Sequence, residues 1–513
     1  MTGREYMKKT MQEIILSVIG ISFFAAGCAK KDTAPQATES GNTTAFNPDA
    51  VVYVGSTNPP VNLNNIAGGS SGITEALYRN VYEPLLSLED DGSIIPTLSP
   101  SYSVSTDGLV YTFRLRDGVR FHDGSTLTAQ DVKYSFERAL SPESHAARKT
   151  DLAVIDHIEA GSDNTVKIYL KQRTQSFDYY TTFVWIVKDG TTDNSATANG
   201  TGPYKLTDYQ AGTSLSIERF DEYWGPKPKN KKIVFTYFSD SNAETNALLG
   251  GQIDLITNID TPEQLAAFKN NSAYTITEGK STTKQVFAFN DKRAPFTDVR
   301  VRQALSRGVN KAAVLKAAWD GYGQLIGSFV PPSDPWYEDL TAVNAYDPES
   351  AKALLAEAGY AGGFTFSLIT PSTAIHQLSA QAIKSDLAKI GVTVDIKVID
   401  PSAWYEIVFK NKDYDATLQE HVNDRDLIWY GNPNFYWGYD NAEVQQWVKD
   451  AQFALSADEQ NLIYKKIARK IAEEAASSWL FLYPQLRVSV STVSGYPANG
   501  KNSSFYVANI EKK

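Results

Sequence analysis

The sequence is poor in the residues that make covalent and metal cross-links. It has one cysteine in 513 residues, Cys28, so no disulfide can form within the chain. Its five histidines, His122, His145, His157, His376 and His421, stand singly. No CxxC or HxxxH spacing occurs, so no zinc-site pattern is present, and neither a metal nor a cofactor is expected. All three methionines, Met1, Met7 and Met11, precede Cys28. A GxxxxGK[ST] loop is missing, which excludes a phosphate-binding motor of that form. The net charge is −10, which argues against nucleic acid as the main partner. Beyond Cys28 no apolar run approaches the roughly 18 residues needed to span a bilayer.

What is present begins with a leader. Arg4, Lys8 and Lys9 precede the apolar run Ile14 to Ala26, which ends in small residues. A basic start, a short apolar core and a small-residue end make the pattern of a secretory signal peptide over 1–27. Ala25, Ala26, Gly27 and Cys28 resemble a bacterial lipobox, which implies that Cys28 is lipidated and starts the mature chain. The polar, patternless residues 28–49 read as a flexible tether. Some 486 residues would remain, more than the roughly 250–300 that one core supports, so at least two domains are expected.

From Val51 onward strand and helix periods alternate. Tyr111 to Arg116 alternates apolar and polar residues, as a half-buried strand does. Two Asp-Gly turns bracket a short second strand. Thr128 with Asp131 then forms a capping-box pattern for a helix carrying Val132, Phe136, Ala139 and Leu140, stopped at Ser141-Pro142. Asp347-Pro348-Glu349 opens another helix, which Gly359 closes. Phe364 to Ile369 reads as a strand. A helix from Ile375 to Ile390 is expected to bury Ile375, Leu378, Ile383, Leu387 and Ile390. Val392, Val394, Ile396 and Val398 then alternate as a strand. Strand, helix, strand at this spacing predicts a βαβ unit on a mostly parallel sheet, hence an α/β body.

The stretch YTFRLRDGVRFHDGSTLTAQDVKYSFERAL (Tyr111–Leu140) resembles the signature of extracytoplasmic solute-binding proteins of the oligopeptide/dipeptide-binding family, family 5 of the ABC importers. The Gly200-Thr-Gly-Pro-Tyr204 turn, Pro295–Leu315, Asp347–Gly359, Tyr414-Asp415-Ala416 and Leu480–Val490 follow in the family's order. Arg114, Arg116, His122 and Asp123 within the signature are explained by strand pairing and turn chemistry without a ligand. The resemblance implies a two-lobed periplasmic-binding-protein-like clamshell with mixed sheets and a ligand cleft between the lobes. Mapped here, lobe I takes 50–285 with an inserted subdomain at about 95–200, lobe II takes 286–479, and 480–513 returns to lobe I. It also implies a non-enzymatic, monomeric receptor outside the cytoplasm, held to the membrane by lipid on Cys28. The receptor would bind di- or oligopeptides and pass them to ABC permease subunits.

By the same resemblance Asp424, nine residues after Asp415, would pair with a ligand's α-amino group. A solvated loop aspartate paired with Arg425 would look the same in sequence. Relatives carry Gly-Trp where this chain has Glu420-His421, so the loop adds a carboxylate and loses a flat apolar wall. Trp404 resembles a cleft-lining tryptophan, although core packing explains such a residue equally. His421 and Val422 fall in the expected cleft loop, and Gly55, Ser56 and Thr57 follow the first strand at the expected rim. Three rival ligands share this fold: a nickel chelate, for which His421 would be the ligand, haem, and an oligosaccharide, which the aromatic group Trp429 to Tyr439 could stack. Ser281-Thr-Thr-Lys284 matches the SxxK of serine acyl-transferring enzymes, but it precedes a strand-like run and lacks KTG or SDN partners. A glycoside hydrolase would need a carboxylate pair that sequence cannot display.

Overall fold

The computed structural model describes residues 46–513 apart from 69–70, 193–196, 423–424, 426 and 502. The calls on Cys28, the leader and most of the tether, together with Asp424, lie outside the described residues. Among the described residues no helix is long and apolar enough to cross a membrane.

One mixed sheet of eleven strands organises the body. Its centre is a ribbon of two long antiparallel strands, Tyr274–Phe289 and Ser477–Val490. One end of the ribbon carries Leu255–Ile256, then Val51–Ser56, Lys232–Tyr237, Ser214–Arg219 and Tyr204–Gln210. The other end carries Ala416–His421, Thr365–Pro371 and Thr393–Ile399. The ribbon's register shifts between Lys280 and Lys284 and again between Gln285 and Val286. Each shift leaves residues unpaired and bends the strand locally. The boundaries expected at 285/286 and 479/480 therefore fall inside continuous strands, because both strands run through from one group to the other.

The local predictions can be followed element by element. Val110–Arg114 is a strand in a separate four-stranded antiparallel sheet, with its own core built on Phe113, Phe121, Phe136 and Ile168. The short second strand is reduced to a single bridge, Arg120 to Thr126. Thr128 caps the helix Ala129–Leu140 through the full box: its hydroxyl accepts from Asp131 N, and its own N donates to Asp131 Oδ2 at 2.8 Å. Such a cap is worth about 1 kcal/mol. Asp347 caps Pro348–Glu357 by accepting from Ser350 N.

The βαβ unit is present, with Thr365–Pro371 parallel to Thr393–Ile399 across the helix Ala374–Ala388. Two of its residues depart from expectation. Leu378 is 41% exposed, because the stripe facing the sheet runs through Ile375, Ser379, Ala380, Ile383 and Leu387. Small residues at 379 and 380 let the helix lie close to the sheet, and Leu378 is turned past the edge of that contact. Val398 is also exposed, since its strand is the sheet's outermost and the cover ends before its last residues.

The signature residues serve the architecture. His122 contacts Gly202 O at 3.0 Å through Nε2 and accepts from Gly200 N through Nδ1, and burial pushes its pKa down to about 4. Asp123 pairs with Lys188 at 2.8 Å. Gly200 is required by close approach, because a Cβ there would stand 1.9 Å from Val81 O.

Candidate functional site

The first strand, Val51–Ser56, is separated from the ribbon by the short strand Leu255–Ile256, which pairs with both. Gly55 is buried beneath Ile253 and Glu244: a Cβ would meet Ile253 Cδ1 at 2.4 Å and Glu244 Oε1 at 3.2 Å. Ser56 is buried too, and its hydroxyl accepts from Asn58 N at 3.0 Å. Thr57 donates to Asp260 Oδ2 at 3.4 Å, which couples the strand end to the Asn258–Asp260 turn. Of the three rim residues, only Thr57 thus reaches a group that lines a cavity.

Carboxylates accumulate behind this rim. Glu75 accepts from Thr257 Oγ1 and lies near the buried Arg487, yet burial still raises its pKa to about 7. Glu244 is fully buried, among the described residues neither of its oxygens has a hydrogen-bond partner, and its pKa rises to about 9. Burial is the main cause, followed by the charges of Asp260 and Glu75. Asp260 is raised as well, again chiefly by burial. The Arg487 guanidinium donates to the carbonyls of Thr257 and Asn499.

On the other side, Ala416–His421 pairs with the ribbon in the register Lys284 to His421. Alternation sends His421 and Glu420 opposite ways. His421 meets Tyr436 OH at 2.9 Å and lies flat against Trp437 at 5.6 Å, within the aromatic core. Glu420 faces a cavity, and the surrounding walls lift its carboxyl above the ordinary range. Trp404 lines neither of the cavities described below. It is 6% exposed, donates to Thr417 Oγ1 at 2.9 Å and packs edge-on against Tyr436. Tyr430, Tyr436, Trp437 and Tyr439 share that core, and Trp429 alone of the group is exposed.

Two cavities meet at Val422, which is 44% exposed and lines both. The first, about 400 Å³, is walled by Ser71, Tyr78, Phe183, Trp185, Lys501 and Ser504 among others. Lys501 forms a buried ion pair with Asp334 at 3.5 Å, joining the C-terminal segment to the second strand group. The second, about 370 Å³, lies against the register shift of the ribbon. Asp260, Ser281, Trp319, His376, Glu420 and Tyr483 are among its walls. Apart from Val422, Glu420 and Ser281, which the SxxK match singles out for a different reason, none of these wall residues is distinguishable in sequence. Trp319 ends a helix, His376 follows an N-cap, and only the tertiary fold brings them together.

Ser281 donates to Tyr483 O at 2.8 Å, so its hydroxyl is engaged in holding the two ribbon strands together. Among the described residues no group of three or more His, Cys, Asp or Glu side chains could hold a metal ion.

Residues 93–445 match the family described as bacterial extracellular solute-binding proteins, family 5 Middle. The chain is 31% identical over 370 residues to a glutathione-binding protein of Pectobacterium atrosepticum, covering 69% of each. It is 28% identical to the dipeptide-binding protein of Escherichia coli over 415 residues, covering 74% of each. Heme-binding protein A of Haemophilus influenzae is 29% identical over 416 residues, 74% of this chain and 75% of that one. Among solved structures, the ABC transporter substrate-binding protein CtaP of Listeria monocytogenes superposes with a TM-score of 0.82 at 25% identity, covering 90% of this chain and 99% of that one. The fold is accordingly the α/β periplasmic-binding-protein fold with a mixed sheet. The protein is a binding component of an ABC importer and has no enzymatic role. It acts outside the cytoplasm, where it takes up a solute and delivers it to the permease. With more than half its length matched, the chain belongs to the family 5 bacterial extracellular solute-binding proteins.

Proposed function

We propose that the solute is a peptide, bound between two lobes that close about the ribbon, and that the receptor is tethered by lipid on Cys28. The observation that carries this reading is the pair of cavities that share Val422, with hydroxyl and aromatic side chains in their walls. An extended peptide fills such a space, its main chain meeting the polar groups and its side chains the cavities. The glutathione- and dipeptide-binding relatives favour the same ligand class. Lobe I would comprise 50–285 with 480–513, and lobe II 286–479, with bending at Ser281–Thr283 opposite Tyr483. In this reading Asp424 holds the ligand's amino terminus, and Gly55, Ser56 and Thr57 support the opposite rim. Trp404 and His421 act from behind the wall, and Val422 divides the two cavities.

Mass spectrometry of ligand released from purified protein tests the proposal directly. Peptides are expected; haem, a nickel chelate or an oligosaccharide would replace the ligand assignment. Asp424→Asn should weaken peptides with a free amino terminus by about tenfold, or about 1.4 kcal/mol, in calorimetric titration. Unchanged affinity would remove Asp424 as the anchor. Cys28→Ser should release the protein from the membrane fraction, and retention would refute the lipid tether.

A further inference from the structure

The cavity on the Asp260 side of Val422 is one-sided in charge. Asp260 faces it from the first strand group and Glu420 from the second, and among the described residues no lysine or arginine side chain lines it. Asp260 accepts from Asn258 and Thr57, both neutral donors, and among the described residues Glu420 has no ion-pair or hydrogen-bond partner for its carboxyl group. His376, the remaining titratable nitrogen in the wall, is held neutral by burial, its pKa pushed down to about 4. Behind Asp260 stand Glu244 and Glu75, whose carboxyls burial pushes up to about 9 and about 7, so the negative charge of the cavity rests on Asp260 and Glu420.

A second, independent feature marks the same space. Trp319 and His376 are each 3% exposed, and among the described residues Trp319 Nε1 and His376 Nε2 have no hydrogen-bond partner although both residues line the cavity. A buried indole N–H left unpaired loses its hydration without a replacement, so a ligand acceptor there would be favourable. The other imidazole nitrogen is fixed at 2.7 Å from Thr373 Oγ1, which orients the ring. Trp319 also packs edge-on against Tyr483, with centroids 5.4 Å apart, and the two rings form an aromatic wall. Such a wall attracts a cation at its face.

These demands define the ligand. Two carboxylates approaching from opposite sides repel each other when the cleft closes, and a cation between them turns that repulsion into attraction. An anionic group would be excluded by the same field. The unpaired indole N–H asks in addition for a neutral acceptor close to the cation. A lysine or arginine side chain beside its own main-chain carbonyl supplies both.

We propose that this cavity is the subsite for a basic side chain of the bound peptide, its ammonium or guanidinium group held between Asp260 and Glu420 and a neighbouring carbonyl taking the Trp319 hydrogen bond. The proposal rests on the peptide reading, and the test separates the two.

The test is calorimetric titration of the purified protein with tripeptides of alanine in which each position in turn is lysine, arginine, norleucine or glutamate. Agmatine and putrescine serve as non-peptide cations. At one position lysine and arginine should bind about tenfold or more tighter than norleucine, with glutamate weakest. In Glu420→Gln that preference should fall to about threefold or less while the norleucine peptide binds as before. Asp260→Asn should act the same way, and a matching urea midpoint will show that each variant is folded. Neutral peptides binding as well as basic ones, or a preference unmoved in both variants, would overturn the subsite and leave the peptide reading standing. Amines that bind and are lost in Glu420→Gln, with no peptide bound, would keep the cationic subsite and overturn the peptide reading. Binding of neither class would overturn both.

Discussion

Two buried glutamates, Glu83 and Glu244, sit in opposite circumstances. Glu83 accepts from Thr201 Oγ1 at 2.9 Å, Tyr223 OH at 2.8 Å and Trp224 Nε1 at 2.9 Å. Burial nevertheless outweighs these donors and lifts its pKa to about 7. Glu244 has no donor, adds the charges of Asp260 and Glu75 to its burial, and reaches about 9. The first carboxylate joins the Gly200–Tyr204 turn to the neighbouring Tyr223-Trp224 segment. The second stands against Gly55, near the cavity-lining Asp260. A saturated carboxylate marks a joint whose geometry is fixed by the fold. An unsaturated one beside a cavity marks a place where stability has been given up.

Substitution can test this contrast most strongly at Glu83. Glu83→Leu would orphan three donors, and breaking such a network typically costs about 3–5 kcal/mol. A marked fall in the urea midpoint is expected, whereas Glu244→Leu should change it little or raise it. Equal losses at both sites would break the comparison.

A pH series sharpens it. The folded-state pKa of Glu244 lies above its ordinary value of 4.5, so the folded protein binds this proton more tightly than the unfolded chain does. Its contribution to stability is complete below about 4.5 and is lost as pH rises toward about 9. Glu244→Gln should therefore be more stable than the parent at pH 8 and close to it at pH 4.5, removing a slope of up to about 1.4 kcal/mol per pH unit. Parallel pH curves for parent and variant would show that Glu244 is not the titrating group.

The smallest expected effect belongs to Tyr223→Phe. It removes one of three donors to Glu83 and should cost about 1 kcal/mol, read as a modest shift of the urea midpoint. A loss as large as that of Glu83→Leu would mean that the three donors act as a single unit.

Local signals were legible along the whole chain. The Thr128–Asp131 box, the Asp347 cap and the strand–helix–strand spacing of 365–399 depend on neighbours within a few residues, and the structure repeats them. Leu378 failed because two adjacent helical stripes share Ile375, and only the sheet decides which one is covered. Trp404 and His421 have cleft-like sequence neighbours, yet their rings turn into the core shared with Tyr436. That direction depends on which face of the sheet the aromatic cluster fills. The Lys501–Asp334 pair joins residues far apart in the chain, and no spacing rule connects them.

The sequence by itself determined the α/β class, the order of the landmarks that carry the family, the lone cysteine and the acidic loop at Glu420. These follow from periodicity, caps and residue order, which act over one or two turns of chain. Only the tertiary structure decided that Glu420 would face Asp260, that Trp319 and His376 would stand beside them with unpaired nitrogens, and that the ribbon would break register there. A cavity is made by surfaces from distant segments, and its chemistry belongs to their juxtaposition.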